Sequence, residues 1–277
     1  MTVLENAYAK INLYLDVIRR RDDGFHDINS VMHTVTLCDM ISLTSSPSNN
    51  GRINITSDVS GLENGENNLI YKSAVKYIRK FNINDNLDIE LKKRIPIGAG
   101  LGGGSSDAAA TLRALNKIYG LATDEQMLEI AAEIGSDVPF CLVGGCAVCG
   151  GRGEIMTPID LNLCGKDVVI AIGEGRVSTP RAYALLDEKF NNFTDPGEKN
   201  EFDDTNIFAG YNIFESVIDL SDIESIKKIM SKNNAETTLM SGSGPSVFGI
   251  FSNTNIAKKT VKELEKCGFW AINCNLK

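Results

Sequence analysis

Apolar and polar residues alternate over 8–18 and over 31–43. A period of two puts successive side chains on opposite faces, so both stretches are predicted strands, arranged about the turn-forming Arg20-Arg21-Asp22-Asp23-Gly24. Residues 45–68 are rich in Ser, Asn, Gly and Asp, with a short strand expected at 52–56. Helical spacing follows, because Ile70, Ala74, Tyr77 and Ile78 share one face of a predicted helix over 68–81. Alternation returns over 87–95 as a strand. Ala108, Leu112, Leu115 and Tyr119 mark a second helix, with Ser105 or Ser106 as its expected hydroxyl cap. A third starts at Thr123, has Gln126 in the capping-box position, carries Leu128, Ala131 and Ile134, and stops at Gly135. After Gly135-Ser136-Asp137-Val138-Pro139, the apolar run 140–159 reads as a hairpin.

The second half keeps a strand and helix rhythm. Strands are predicted at 167–172, 237–240, 246–251 and 270–275, and helices at 181–190, 223–232 and 256–267. The polar stretch 191–204 is expected as a surface loop, and no internal repeat is visible. An α+β fold in two domains follows, with the boundary between 157 and 167: residues 1–160 form the first domain and 161–277 the second.

Composition narrows the function. The chain has 277 residues, 43% hydrophobic and 23% charged, the balance of a globular protein. A formal net charge of -8 without a stripe of Lys and Arg argues against nucleic acid or a membrane surface as partner. The first residues lack the basic and apolar regions of a signal peptide, and no run approaches membrane-spanning length. Seven scattered cysteines suit reduced thiols, so a cytoplasmic protein is expected. Cys146 and Cys149 form a C-x-x-C with neither a second pair for zinc nor a helix start for redox work, and read as strand or turn residues. His33 has no metal-site neighbours in the sequence and reads as a structural residue.

The densest chemical signal is Pro96-Ile97-Gly98-Ala99-Gly100-Leu101-Gly102-Gly103-Gly104-Ser105-Ser106, a glycine run just ahead of a predicted helix. Glycine allows positive φ and close backbone approach, and a helix N-terminus offers unbonded N–H groups with a favourable dipole, so phosphate is the natural guest. A P-loop would need a lysine after the glycines, and none is there. Gly98, Gly100 and Gly103 fit G-x-G-x-x-G, but a dinucleotide fold would return to a strand ending in an acid about 20 residues on, whereas a helix begins at Thr123. A ligand-free turn would carry the entropic cost of its glycines with nothing to offset it.

The segment PIGAGLGGGSSDAAA, residues 96–110, resembles the central motif of the GHMP kinases. Ala9-Lys10-Ile11-Asn12-Leu13 and Ser241-Gly242-Ser243-Gly244-Pro245-Ser246 resemble that superfamily's first and third motifs, in the same order and at similar spacing. Within it, AYAKINLYLDV, the Gly24-Phe25-His26 turn and Gly135-Ser136-Asp137-Val138-Pro139-Phe140 resemble a branch whose acceptor alcohol is a cytidine-diphosphate-linked methylerythritol. The resemblance implies a two-domain GHMP kinase fold, with an N-terminal domain of the ribosomal-protein-S5 type and a C-terminal ferredoxin-like domain. It also implies ATP-dependent phosphorylation of a small-molecule hydroxyl, with Mg²⁺ expected from the chemistry.

Carried over by position, the resemblance makes Lys10 and Asp137 the catalytic pair and sets Asn12 beside the acceptor. Residues Pro96 to Ser106 wrap the triphosphate, and Asn68 and Lys93 match positions on the adenine side. Phe25 and Tyr183 would sandwich cytosine, His26 would bond its edge, and Thr179 joins the substrate-binding set. Phe25 stands where the branch often has Tyr, and Met32 stands where an aromatic is expected. At about 4 Å and an effective dielectric near 20, a Lys–Asp pair gains on the order of 4 kcal/mol, enough to keep the carboxylate ionised. Each residue also has a plainer reading: Lys10 as an edge-strand lysine reaching water, Asp137 as a turn cap, His26 as an exposed loop residue, and Ser241 to Ser246 as a tight turn. An acceptor such as mevalonate or homoserine, or a nucleotide-binding sensor without turnover, also fits the motifs.

Overall fold

Alternation in the first half produces strands longer than expected. In the computed structural model, which describes residues 1–60, 62, 65–190 and 210–277, β1 runs Thr2–Arg20 and β2 runs His26–Ser46. The turn between them is closed by Arg21 N–H to the Phe25 carbonyl at 2.8 Å. Next come β3 (Ile53–Ser57), α1 (Leu69–Lys80), β4 (Asn86–Lys92), α2 (Gly103–Tyr119), α3 (Asp124–Ile134), α4 (Val138–Val143), β5 (Cys146–Gly150) and β6 (Ile155–Pro158). The rest comprises β7 (Asp167–Ile172), α5 (Thr179–Lys189), β8 (Tyr211–Asn212), α6 (Ser221–Lys232), β9 (Thr237–Met240), β10 (Val247–Phe251), α7 (Thr254–Lys266) and β11 (Trp270–Asn275). The expected loop at 191–204 lies outside the described residues.

The chain divides into two units, each threaded by β1 and β2. The first comprises residues 1–9, 37–97 and 102–144. Its sheet has the order β3-β4-β2-β1, with β4 antiparallel to β2 from Met40 against Lys92 to Ser46 against Asn86. Helices α1 to α4 supply the other side of a core in which Ile41, Leu43, Leu87 and Ile89 meet Ile70, Tyr77, Leu112 and Leu115. Each such side chain taken fully from water is worth about 1.5–3 kcal/mol.

The second unit comprises residues 10–36, 98–101 and 145–277. β5 pairs with β2 and β6, and β8 lies parallel to β1. A separate antiparallel sheet has the order β11-β7-β10-β9, with every residue of β7 and β10 buried. Helices α6 and α7 pack on it. Numbered among themselves these strands run β-α-β-β-α-β with spatial order 4-1-3-2, which is the ferredoxin-like arrangement.

Local chemistry sets the helix ends. Asn68 caps α1 by accepting Ile70 N–H at 2.8 Å, and Thr123 with Gln126 forms the complete capping box of α3. Two expectations fail. No hydroxyl caps α2: its N-cap is Gly102, and the Ser106 hydroxyl donates to the carbonyls of Tyr8 and Gly102, at 2.6 and 3.0 Å. A glycine at positive φ can turn the chain into the helix without a side chain, which frees the serine. The hairpin expected over 140–159 begins only at Cys146, because Val138–Val143 is helical with Pro139 in its first turn, where the ring fits. Cys146 and Cys149 are strand residues with free thiols, and burial pushes the Cys146 thiol up to about 12.

Candidate functional site

The glycine run adopts the backbone its composition predicts. Gly98, Gly100 and Gly102 have φ of 66°, 76° and 68°, a region costly for other residues. The first bond inside α2 is Ser106 N–H to Gly102 C=O at 2.8 Å, so the amides of Gly103, Gly104 and Ser105 precede the helical ladder. With no side-chain cap, these three N–H groups and the dipole of a 17-residue helix make an anion site. Nothing lies within 4 Å of the place a Gly98 Cβ would occupy, whereas one at Gly100 would overlap the Ser241 carbonyl oxygen.

Within the second unit the three motifs meet. Lys10 N–H donates to Leu101 C=O at 3.0 Å, the Ser241 hydroxyl to Gly100 C=O at 3.1 Å, and Ser246 N–H to Ala99 C=O at 3.3 Å. A Cβ on Gly242 would stand 3.4 Å from Lys10 Nζ and 3.0 Å from Gly100 O. Segments separated by about a hundred residues or more therefore line one short piece of backbone. Thr179, at the start of α5, shares a hydrogen bond of 2.9 Å with Ser243 of the same turn.

Lys10 is no edge-strand lysine reaching water. It is 4% exposed and Asn12 is 1% exposed. Its Nζ donates to Asn12 Oδ1 at 2.7 Å, Asn12 Nδ2 donates to Ser30 Oγ at 2.8 Å, and Ser30 Oγ donates to Tyr14 C=O at 2.8 Å. An ammonium can only donate, so the Asn12 amide must turn its oxygen to Lys10 and its NH₂ to Ser30. Ser30 was missed by the sequence reading.

At the other end of β1 and β2, His26 is buried while Phe25 is half exposed with Arg152 over its ring at 4.9 Å. The His26 and Tyr183 rings stack with centroids 4.6 Å apart, and Tyr183 meets Phe214 edge-on at 4.9 Å. Asp187 accepts from His26 Nε2 at 2.8 Å and pairs with Arg20 at 3.5 Å. A carboxylate accepts only, so the proton sits on Nε2. Asp187 was also missed, although Thr179, Tyr183 and Asp187 follow the spacing of four that aligns them on one helix face. Met32 is buried on β2, opposite Ala147, and His33 Nδ1 bonds the Thr34 carbonyl, with burial lowering its pKa.

In the first unit, Asp137 is half buried ahead of α4 and makes no capping hydrogen bond to it, which removes the plain turn-cap reading. Asn68 spends its Oδ1 on capping α1. Lys93 Nζ contacts Asp39 at 2.5 Å and Asp107 at 2.9 Å, with its side chain 6% exposed. Ser105 is half buried in the first turn of α2. Among the described residues no group of three His, Cys, Asp or Glu side chains could hold a metal ion, and no helix is long and apolar enough to cross a membrane.

The GHMP kinases N terminal domain family matches residues 68–145. A 4-diphosphocytidyl-2-C-methyl-D-erythritol kinase of Exiguobacterium sibiricum is 43% identical over 94% of this chain and 92% of its own length. One from Caldicellulosiruptor saccharolyticus is 39% identical over 94% and 91%. A solved 4-(cytidine 5'-diphospho)-2C-methyl-D-erythritol kinase superposes with a TM-score of 0.81 at 29% identity, covering 99% of this chain and 100% of the other. A homoserine kinase from Cytophaga hutchinsonii, at 19% identity and a TM-score of 0.73, shares the fold.

Proposed function

The chain belongs to the 4-diphosphocytidyl-2-C-methyl-D-erythritol kinases of the GHMP superfamily, and from that membership we propose its reaction. It transfers the γ-phosphoryl group of ATP to the 2-hydroxyl of 4-diphosphocytidyl-2-C-methyl-D-erythritol, releasing ADP, in non-mevalonate isoprenoid precursor synthesis. The observation that carries the reading is the meeting of Lys10, Gly100-Leu101 and Ser241-Gly242 within one unit.

In this reading the N–H groups of 103–105 hold phosphate, and the alcohol is oriented by Asn12 and Lys10. Asp137 accepts the alcohol's hydrogen bond and then its proton as the oxygen bonds phosphorus, so a weak base suffices in a loose transition state. Lys10 places positive charge beside the acceptor oxygen and the oxygens of the transferring group. Phe25, His26, Thr179 and Tyr183 take the cytidyl end, while Asn68 and Lys93 lie toward adenine. Magnesium, which keeps most of its waters and needs few protein ligands, would neutralise phosphate charge, with Ser105 as its candidate contact. The division at 160 and 161 is kept as part of the proposal, supported by a ferredoxin-like sheet whose strands all follow residue 161. Free thiols at all seven cysteines support a reducing, cytoplasmic setting.

The test is ADP release with ATP, Mg²⁺ and the cytidyl substrate, run beside mevalonate and homoserine and repeated for Asp137→Ala. Turnover with the cytidyl substrate alone, falling about 10³-fold in the variant, is expected. Equal turnover of mevalonate or homoserine, or ATP binding without turnover, would overturn it.

A further inference from the structure

The start and the end of the glycine run are tied together by a cluster built on Asp39, a residue to which the proposed reaction gives no role. Asp39 lies in β2 and is fully buried. Its Oδ1 accepts two backbone N–H groups, from Arg94 at 2.5 Å and Ile95 at 2.8 Å, the residues immediately before Pro96. Its Oδ2 accepts from Lys93 Nζ, and the same ammonium reaches Asp107 Oδ2 at 2.9 Å, one turn into α2. A Cβ on Gly103 would stand 3.3 Å from Lys93 Nζ and 3.0 Å from an Ile95 methyl group, so the lysine passes directly beneath the first turn of the helix. One carboxylate thus grips the chain where it leaves β4, and one ammonium links that carboxylate to the helix receiving the chain ten residues later.

We propose that Asp39, acting through Lys93 and Asp107, is a positioning residue for nucleotide binding: it fixes the separation between Ile95 and the N-terminus of α2, and so the spread of the loop that cradles the phosphates. An anion site made of backbone N–H groups has no side chains to adapt, and its affinity depends on how firmly the backbone is held. A salt bridge this buried is a poor source of net stability, because desolvation consumes most of the Coulomb gain. Its value lies in geometry. Gly103 keeps the space open, since any side chain there would press on Ile95 and Lys93.

This rests on the reading of residues 96–106 as the nucleotide loop. The experiment measures binding of MgADP and of CMP, separately, to the parent protein, Asp39→Asn, Asp39→Ala and Gly102→Ala. Asp39→Asn keeps an oxygen for the two N–H groups but turns a donor toward Lys93; Asp39→Ala loses both links. MgADP affinity is expected to fall several-fold in Asp39→Asn and about tenfold or more in Asp39→Ala, with CMP affinity within about twofold of the parent in both. Folded Asp39 variants that bind MgADP like the parent, or that lose CMP affinity by the same factor, would overturn the proposal. If Gly102→Ala, strained at its positive φ, leaves MgADP binding unchanged, the nucleotide-loop reading itself fails. Should Asp39→Ala not fold, hydrogen exchange of the parent decides: Arg94 and Ile95 amides are expected to be protected without nucleotide and slower still with MgADP, and exchange as fast as in open loops sinks the idea.

Discussion

Lys10 and Lys93 both bury their side chains, one in each unit, and the hydrogen bonds described for them within those units differ in the charge of the acceptor. Within its unit Lys10 donates to the neutral amide of Asn12, itself oriented by Ser30. Lys93 donates to two carboxyl groups, Asp39 and Asp107. An amide directs an ammonium without adding charge, whereas the buried Asp39 carboxylate balances it. Two carboxyl groups suit a lysine whose charge is spent inside the protein, whereas an amide that turns Lys10 in one direction suits a lysine placed toward a ligand.

The comparison is broken most directly by removing each ammonium in turn. Lys10→Met is expected to lower kcat by about 10³-fold with cooperative unfolding retained, the scale seen when one preorganised charge is lost from a phosphoryl-transfer site. Lys93→Met strands the buried Asp39 carboxylate and takes a donor from Asp107, and is expected to cost about 3–5 kcal/mol of stability, visible in denaturant unfolding. Equal losses of kcat in folded samples of the two would erase the distinction. A smaller effect sharpens it. Ser30→Ala removes the acceptor that fixes the Asn12 amide, and leaves Nδ2 buried without its partner at a cost of about 1–3 kcal/mol. A free amide no longer holds Lys10 in one place, so kcat is expected to fall about tenfold, with Ser30→Thr recovering most of it. A kcat like the parent's in folded Ser30→Ala would show that the relay does not position Lys10.

The two lysines were not equally legible in the sequence. Lys10 stood out because it interrupts an apolar strand inside a motif, the glycine run because of its composition ahead of a helix, and Asp137 through the family resemblance. Asp39 carried a signal that went unused: Leu37, Asp39, Ile41 and Leu43 fall on one parity of β2 and all are buried, so a carboxylate on that face had to find a partner. Ser30 shares its face with Ile28 and Met32 in the same way. Which partner each would find depends on strand pairing and on where α2 begins, and neither follows from periodicity. The continuously buried strand Asp167–Ile172 matched its expected limits, and so did Trp270–Asn275. The short apolar run at Val138–Val143 did not, because six apolar residues fit a strand or a helix equally well and a proline in the first turn settled it.

The smallest expected effect is a matter of proton count. Asp107 titrates near 3.8 when exposed, and in the fold it is pushed up to about 8, chiefly by burial and then by the negative charge of Asp39, against the pull of Lys93. Its Oδ1 has no hydrogen-bond partner among the described residues, so nothing on that side offsets the cost of ionising it. Between those two values the folded chain holds a proton that the unfolded chain releases. This contribution to stability is therefore complete below about pH 4 and is lost as pH rises through about 8. Asp107→Asn keeps an oxygen toward Lys93 and cannot titrate, so it lacks that slope. Unfolding free energies of parent and variant, measured from about pH 5 to about pH 9, should show the parent losing ground to the variant as pH rises. A difference that stays constant would mean that Asp107 is ionised throughout and that the cluster around Lys93 carries a buried negative charge beside the phosphate loop.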